Sequence, residues 1–189
     1  PADGDDFDML GGLAPGETAT LTFSELSYSS PGTYLLWALA DSLEDVWESD
    51  ETNNAGPPNG VQITVAAVMR PDMLIGGPAG GLLGNDVYNT DGTDQSSQQT
   101  LPNGATTAFL LQAQNDGNGP DTLLVTGPAG DADWGVRYFN AAAGGDDITA
   151  DVTGGGWSVG PLDPGAMADF RVELTPADSA LGGTSRSVL

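Results

Sequence analysis

Apolar residues recur at every second position in a series of short runs, and turn-forming residues separate the runs. In Glu17–Ser24, Ala19, Leu21 and Phe23 alternate with polar neighbours. Thr33–Ala40 places Tyr34, Leu36, Ala38 and Ala40 on one side of an extended chain and Leu35, Trp37 and Leu39 on the other, which predicts a strand covered on both faces. Val61–Val68 alternates Val61, Ile63 and Val65. Beyond it, Asp72–Ile75, Asp86–Tyr88, Ala105–Asn115, Thr122–Thr126, Trp134–Asn140, Asp147–Val152, Trp157–Val159 and Ala166–Leu174 read as further short strands. Trp37 and Trp134 fall within strand patterns and are expected in the core. No stretch carries a helical period. A two-residue period at this spacing predicts an all-β sandwich architecture.

One pattern occurs twice. Leu13-Ala14-Pro15-Gly16 leads into Ala19, Leu21 and Phe23, and Leu162-Asp163-Pro164-Gly165 leads into Ala168, Phe170 and Val172, each position 149 residues from its match. Proline fixes φ at the first corner of such a turn and glycine takes the positive φ that follows, so each turn is encoded locally and launches an alternating strand. Two copies so far apart predict two sandwiches in tandem, over residues 1–69 and 70–189. The first copy lies near the start and the second near the end. On that phase the first sandwich is expected to be incomplete at its N-terminus and the second to lack its last strand.

Between the runs lie the acidic connection Asp41–Asn54, the breaker cluster Ala55-Gly56-Pro57-Pro58-Asn59-Gly60 and the Gly-rich turn Gly76–Gly84. A polar loop follows at Asn89–Asn103, then the turn Asn115-Asp116-Gly117-Asn118-Gly119-Pro120-Asp121. Leu13-Ala-Pro-Gly16, Pro31-Gly-Thr-Tyr34, Asp41 and Glu48-Ser-Asp-Glu-Thr-Asn-Asn54 together resemble the second half of a bacterial cell-adhesion-related (CARDB) domain, over about residues 13–68. The resemblance implies an immunoglobulin-like β-sandwich of extracellular and cell-surface proteins, usually in tandem. The Asn-Asp-Gly turn unit and the second Leu-x-Pro-Gly strand resemble, more loosely, immunoglobulin-like repeats of large bacterial surface proteins.

Charge narrows the function. Asp and Glu number 27 against 4 basic residues, for a net charge of −23, and the chain has no histidine or cysteine. All four basic residues are arginines: Arg70, Arg137, Arg171 and Arg186. Phosphate neutralisation needs clustered Lys and Arg, so nucleic acid and anionic membrane are poor partners. No apolar run is long enough to insert in a membrane. Disulfides and cysteine metal sites are impossible. A catalytic triad has no histidine or lysine base, and the Gly76–Gly81 glycines lack the Lys and helix of a phosphate loop. The chain reads as a non-enzyme that requires no cofactor. Lys–Asn isopeptide links are also closed to it, while Thr–Gln esters at Gln95, Gln98, Gln99 or Gln112 remain chemically open.

Two oxygen-rich groups are candidate cation sites. Asp41, Glu44, Asp45, Glu48, Asp50 and Glu51 crowd one loop, and Asp116, Asn118 and Asp121 surround a turn glycine. Ca²⁺ takes six to eight such oxygens, although neither group has the EF-hand spacing. The competing reading is a solvated acidic loop and an ordinary Asx turn. Trp47, inside the acidic loop, is the candidate for stacking on a sugar ring. The expected role is a structural and adhesive module of an extracellular or cell-surface array. Its partners would be copies of itself or adjacent repeats, which would supply strands at open edges. The alternative is a calcium- or carbohydrate-binding accessory module of a larger secreted protein.

Overall fold

The computed structural model describes residues 6–23, 26–41, 43, 45–50, 52–77 and 80–187. The chain divides into two units, Pro1–Ala67 and Val68–Leu189, and strands dominate both.

In the first unit β1 (Gly32–Leu39) pairs antiparallel with β2 (Ala55–Val65), placing Tyr34 opposite Ile63 and Leu36 opposite Val61. β2 begins earlier than its alternation predicts and absorbs the whole breaker cluster. Ala38 and Leu39 still offer a ladder edge, to Gly56 and Ala55, and a register shift after Leu36 accommodates the extra residues. Tyr34 is anchored by stacking on Tyr28, ring centroids 4.2 Å apart, and by donating its hydroxyl to the Ser30 carbonyl at 2.9 Å. The opposite face differs from expectation. Leu35, Trp37 and Leu39 are all more than half exposed, so Trp37 is not a core residue here. Among the described residues of this unit no second layer covers them.

The first Leu-x-Pro-Gly turn forms as its residues dictate: Glu17 donates its backbone N–H to the Ala14 carbonyl at 2.9 Å, and Gly16 sits at φ +81°. The alternating run after it does not become a strand. Residues 17–23 lie in no ladder, because a strand exists only against a partner and none of the described residues provides one.

The second unit is built on a five-stranded antiparallel sheet in the order β4-β3-β5-β9-β7. Its members are β3 (Pro71–Gly76), β4 (Leu82–Leu83), β5 (Thr107–Asn115), β7 (Trp134–Phe139) and β9 (Met167–Pro176). A second sheet pairs β6 (Asp121–Val125) with β8 (Trp157–Leu162). Register puts Phe109, Leu111 and Ala113 of β5 beside Val172, Phe170 and Ala168 of β9, so these residues share one face. Half of that face packs against Leu123, Val125 and Val159 of the small sheet. The other half packs against Ile148 and Val152. Phe170 is 1% exposed and Val172 fully buried, which makes β9 the spine of the unit. Trp134 and Trp157 pack against the same core from its margins.

Two local expectations change. Thr149–Gly154 is a short helix, α1, where alternation predicted a strand. Only Phe139 and Asp147 form a bridge there; one turn of helix suffices to lay Ile148 and Val152 on the sheet, four residues apart on one face. The short strand expected at Asp86–Tyr88 lies instead at Leu82–Leu83, within the Gly-rich turn, where it pairs with Gly76 and Ile75. Residues 86–88 turn away because Asp86 sits at φ +61°.

Candidate functional site

In the second unit the Leu-x-Pro-Gly turn is tied to the end of β5 by a single side chain. Asn115 is 0% exposed. Its amide donates to the carbonyls of Gly119 and Leu162, both at 2.8 Å, and its side-chain oxygen accepts the Gly117 N–H at 2.9 Å. Its backbone carbonyl accepts from Gly165 at 2.7 Å, and its N–H donates to Ala166. Every polar atom of a buried residue is thereby satisfied. The Pro-Gly turn itself repeats the first copy: Ala166 donates to Asp163 at 2.9 Å and Gly165 has φ +76°. The two copies therefore share a turn, but only the second has a neighbour on each side of the strand it launches.

The same loop latches the start of the unit. Asp116 donates its N–H to the Arg70 carbonyl at 2.8 Å, and Asn118 exchanges bonds with Val68 through its N–H and its side-chain oxygen. Arg70 lies over the Tyr88 ring, 4.0 Å from its centroid. The Tyr88 hydroxyl donates to Asp116 at 2.5 Å and lies 3.1 Å from Asp86. The hydrogen bond to the Asp116 carboxylate, reinforced by desolvation, pushes the Tyr88 phenol well above its ordinary range. Asp72, 3% exposed, accepts backbone N–H bonds from Met73 and from Asp86, which anchors the polar loop over β3.

The candidate cation ligands are divided among structural tasks. Asp116 serves Tyr88, Asn118 serves Val68 and Asp121 accepts the N–H of Thr122 at 2.7 Å. In the acidic loop Asp41 accepts the N–H groups of Asp45 and Val46, and Ala40 donates to Asn54 to close the loop base. Asp50 accepts from both the N–H and the hydroxyl of Thr52, and these bonds hold its carboxyl below the usual range. Glu48 is half-buried, and Glu44 and Glu51 lie outside the described residues. Among the described residues no three acidic side chains converge in a metal-binding geometry. Trp47 is 93% exposed at the crest of this loop. Of the glutamines open to ester formation, Gln112 donates to Asp169 and Gln95 to the Val87 carbonyl.

Alternation alone does not reveal Asn115 or Asp72. Both are polar residues at the ends of apolar strands, and the only signal for Asn115 is its place as the first residue of an Asn-Asp-Gly turn.

Free strand edges complete the inventory. Among the described residues β6 pairs only with β8, and β1 and β2 pair only with each other. Beside β6, Pro71 and Met73 on the inner face of β3 are left uncovered, and with Met69 they line one wall of a groove of about 410 Å³ whose other wall is Asp121–Val125.

Architecture and site define an all-β module whose open features are strand edges and loops. The family model for CARDB matches residues 2–56, a stretch that includes the first Leu-x-Pro-Gly turn, all of β1, the acidic loop and the first residues of β2. The matched stretch is thus similar to a CARDB immunoglobulin-like domain, and it reaches further toward the N-terminus than the run of motifs beginning at Leu13. No curated protein and no solved structure matches the chain.

Proposed function

We propose that this chain is a structural and adhesive module of an extracellular or cell-surface array, acting as a spacer or fibre subunit that is completed by strands from neighbouring segments or subunits. The observation that carries the proposal is the contrast between the two Leu-x-Pro-Gly strands. The same turn, at the same φ, is followed by a fully paired spine in one unit and by an unpaired, exposed run in the other, where Leu21 and Phe23 are 38% and 41% exposed. Strand-sized apolar segments without a ladder partner suit a module that is finished by its neighbours. The CARDB match supports the adhesion-related context. A charge of −23 keeps such a module soluble and self-repelling until the ionic strength screens it. The test is proteolytic shaving of intact source cells with a Glu-specific protease, since Lys is absent and Arg scarce. Peptides of this chain released while a cytoplasmic marker stays intact are expected; peptides seen only after lysis would overturn the surface assignment.

Trp47 favours a second reading, in which the acidic loop is the tip of a carbohydrate-binding accessory module, its indole available for stacking on a sugar face. Glycan binding that disappears with Trp47→Ala would establish it; binding unchanged by that substitution would remove it.

A further inference from the structure

We propose that the free edge of β1 in one copy pairs with the free edge of β6 in a second copy, so that a β2-β1-β6-β8 sheet forms across the two molecules; this rests on the module reading above and names its contact. Three observations on separate elements converge. First, among the described residues the small sheet of the second unit has only two strands and covers half of the large sheet's inner face. A strand added at β6 would lie over the uncovered inner face of β3 and fill the groove lined by Met69, Pro71 and Met73. Leu124, 61% exposed, projects from the outer face of β6 beside that edge.

Second, β1 has the composition of an inner strand and β2 that of an edge. β1 is apolar on both sides, with Leu35, Trp37 and Leu39 on one and Tyr34, Leu36 and Ala38 on the other. β2 contains Pro57 and Pro58, which lack the N–H that a central strand needs. The open edge of the hairpin that suits a further strand is therefore the β1 edge. A two-stranded sheet is marginal by itself, and each of these becomes half of a four-stranded sheet by the pairing.

Third, charge permits this contact. The chain carries 27 acidic residues, yet β1, β2 and β8 contain no charged residue and β6 contains only Asp121. The 149-residue phase agrees: the segment that follows the first Leu-x-Pro-Gly strand is the β1–β2 hairpin, while the described residues after β9, 177–187, form no strand.

The contact is heterologous, β1 of one copy on β6 of the next, so it propagates unless the rotation between successive copies closes a ring. Sedimentation velocity of the intact chain at high salt, where a Debye length of about 3 Å removes the general repulsion, should show concentration-dependent growth past the dimer. Leu124→Lys spoils only the acceptor edge and Trp37→Lys only the donor, and both side chains are exposed, so folding is retained. Each variant alone should self-associate about tenfold or more weakly. Mixed, they should form dimers and stop there, since each supplies the surface the other lacks. Because the chain has no cysteine, Leu124→Cys and Leu36→Cys copies should also be joined to each other by a short bismaleimide. A wild type that stays monomeric overturns the pairing, as do a mixture no better than either variant and a doubly substituted chain that links only within itself. Those failures would leave the surface-module reading to the shaving experiment.

Discussion

Replacing Asn115 with alanine separates a buried tie from an ordinary turn residue. The substitution deletes three side-chain hydrogen bonds, to Gly117, Gly119 and Leu162, at a site with no solvent access. A typical intramolecular hydrogen bond contributes about 1 kcal/mol net, and each buried partner left unsatisfied costs about 1–3 kcal/mol. The partners here are two carbonyls and an N–H, some of which relax toward water at the loop surface, so the expected loss is about 3–5 kcal/mol. For a unit of this size each kcal/mol moves the midpoint by roughly 3–5 °C, which places the fall at about 10–25 °C. Asn89→Ala is the matched control. Asn89 also makes two side-chain hydrogen bonds within its loop, to Thr93 and Gly92, but it is exposed, so water replaces them and the loss should stay under about 1 kcal/mol. Urea unfolding followed through Trp134 and Trp157 gives both values, and scanning calorimetry gives the midpoints. An Asn115→Ala loss indistinguishable from that of Asn89→Ala would refute the assignment of Asn115 as the tie between β5, β8 and the Pro-Gly turn.

Phe170→Ala should cost about 3–5 kcal/mol, by cavity formation in the shared core, and should shift the emission of Trp157, whose ring meets Phe170 edge-on at 5.5 Å. Its repeat partner Leu21→Ala should cost less than about 1 kcal/mol in the same urea assay, because Leu21 is already solvated. Gly165→Ala should destabilise the second unit by about 1–2 kcal/mol through its positive φ alone, as its Cβ would meet nothing within 4 Å. Asp147 is held at about 2 by hydrogen bonds from Thr149 and Arg137. A depressed folded pKa contributes stability above the unfolded value that is lost as pH falls through the folded one. The urea-midpoint difference between the wild type and Asp147→Asn should therefore shrink between about pH 4 and pH 2 and vanish below it; a difference constant across that window would contradict the role of the carboxylate.

Much of the second unit is legible in its alternation. Ala105–Asn115, Trp134–Asn140 and Ala166–Leu174 become β5, β7 and β9 within a residue or two, because each has one face on the core and a two-residue period reports that directly. The failures have identifiable causes. Asp147–Val152 contains two apolar residues that one helical turn presents as well as a strand does, and a segment this short cannot distinguish the periods. Ala55–Gly60 is dense in breakers, yet Ala55 and Gly56 pair with Leu39 and Ala38, because the register shift takes up the residues between Gly56 and Val61. Residues 17–23 show the limit of pattern reading most plainly. Their alternation is as regular as that of β9, but pairing is a property of two segments, and the described residues hold only one. Of the candidate sites, the acidic loop and the Asn-Asp-Gly turn are visible as clusters of oxygen ligands, and their use as backbone acceptors depends on local φ and ψ that composition does not report.

The central claim is that strand edges are the working surfaces of this protein. Amide hydrogen exchange on the intact chain at high salt, over a hundredfold range of concentration, tests it directly. The account predicts that β5 and β9 exchange slowly at every concentration, while the amides of Gly32–Leu39 and Asp121–Val125 become protected together as concentration rises. Protection of those two strands that is independent of concentration, or that rises in one without the other, would contradict it.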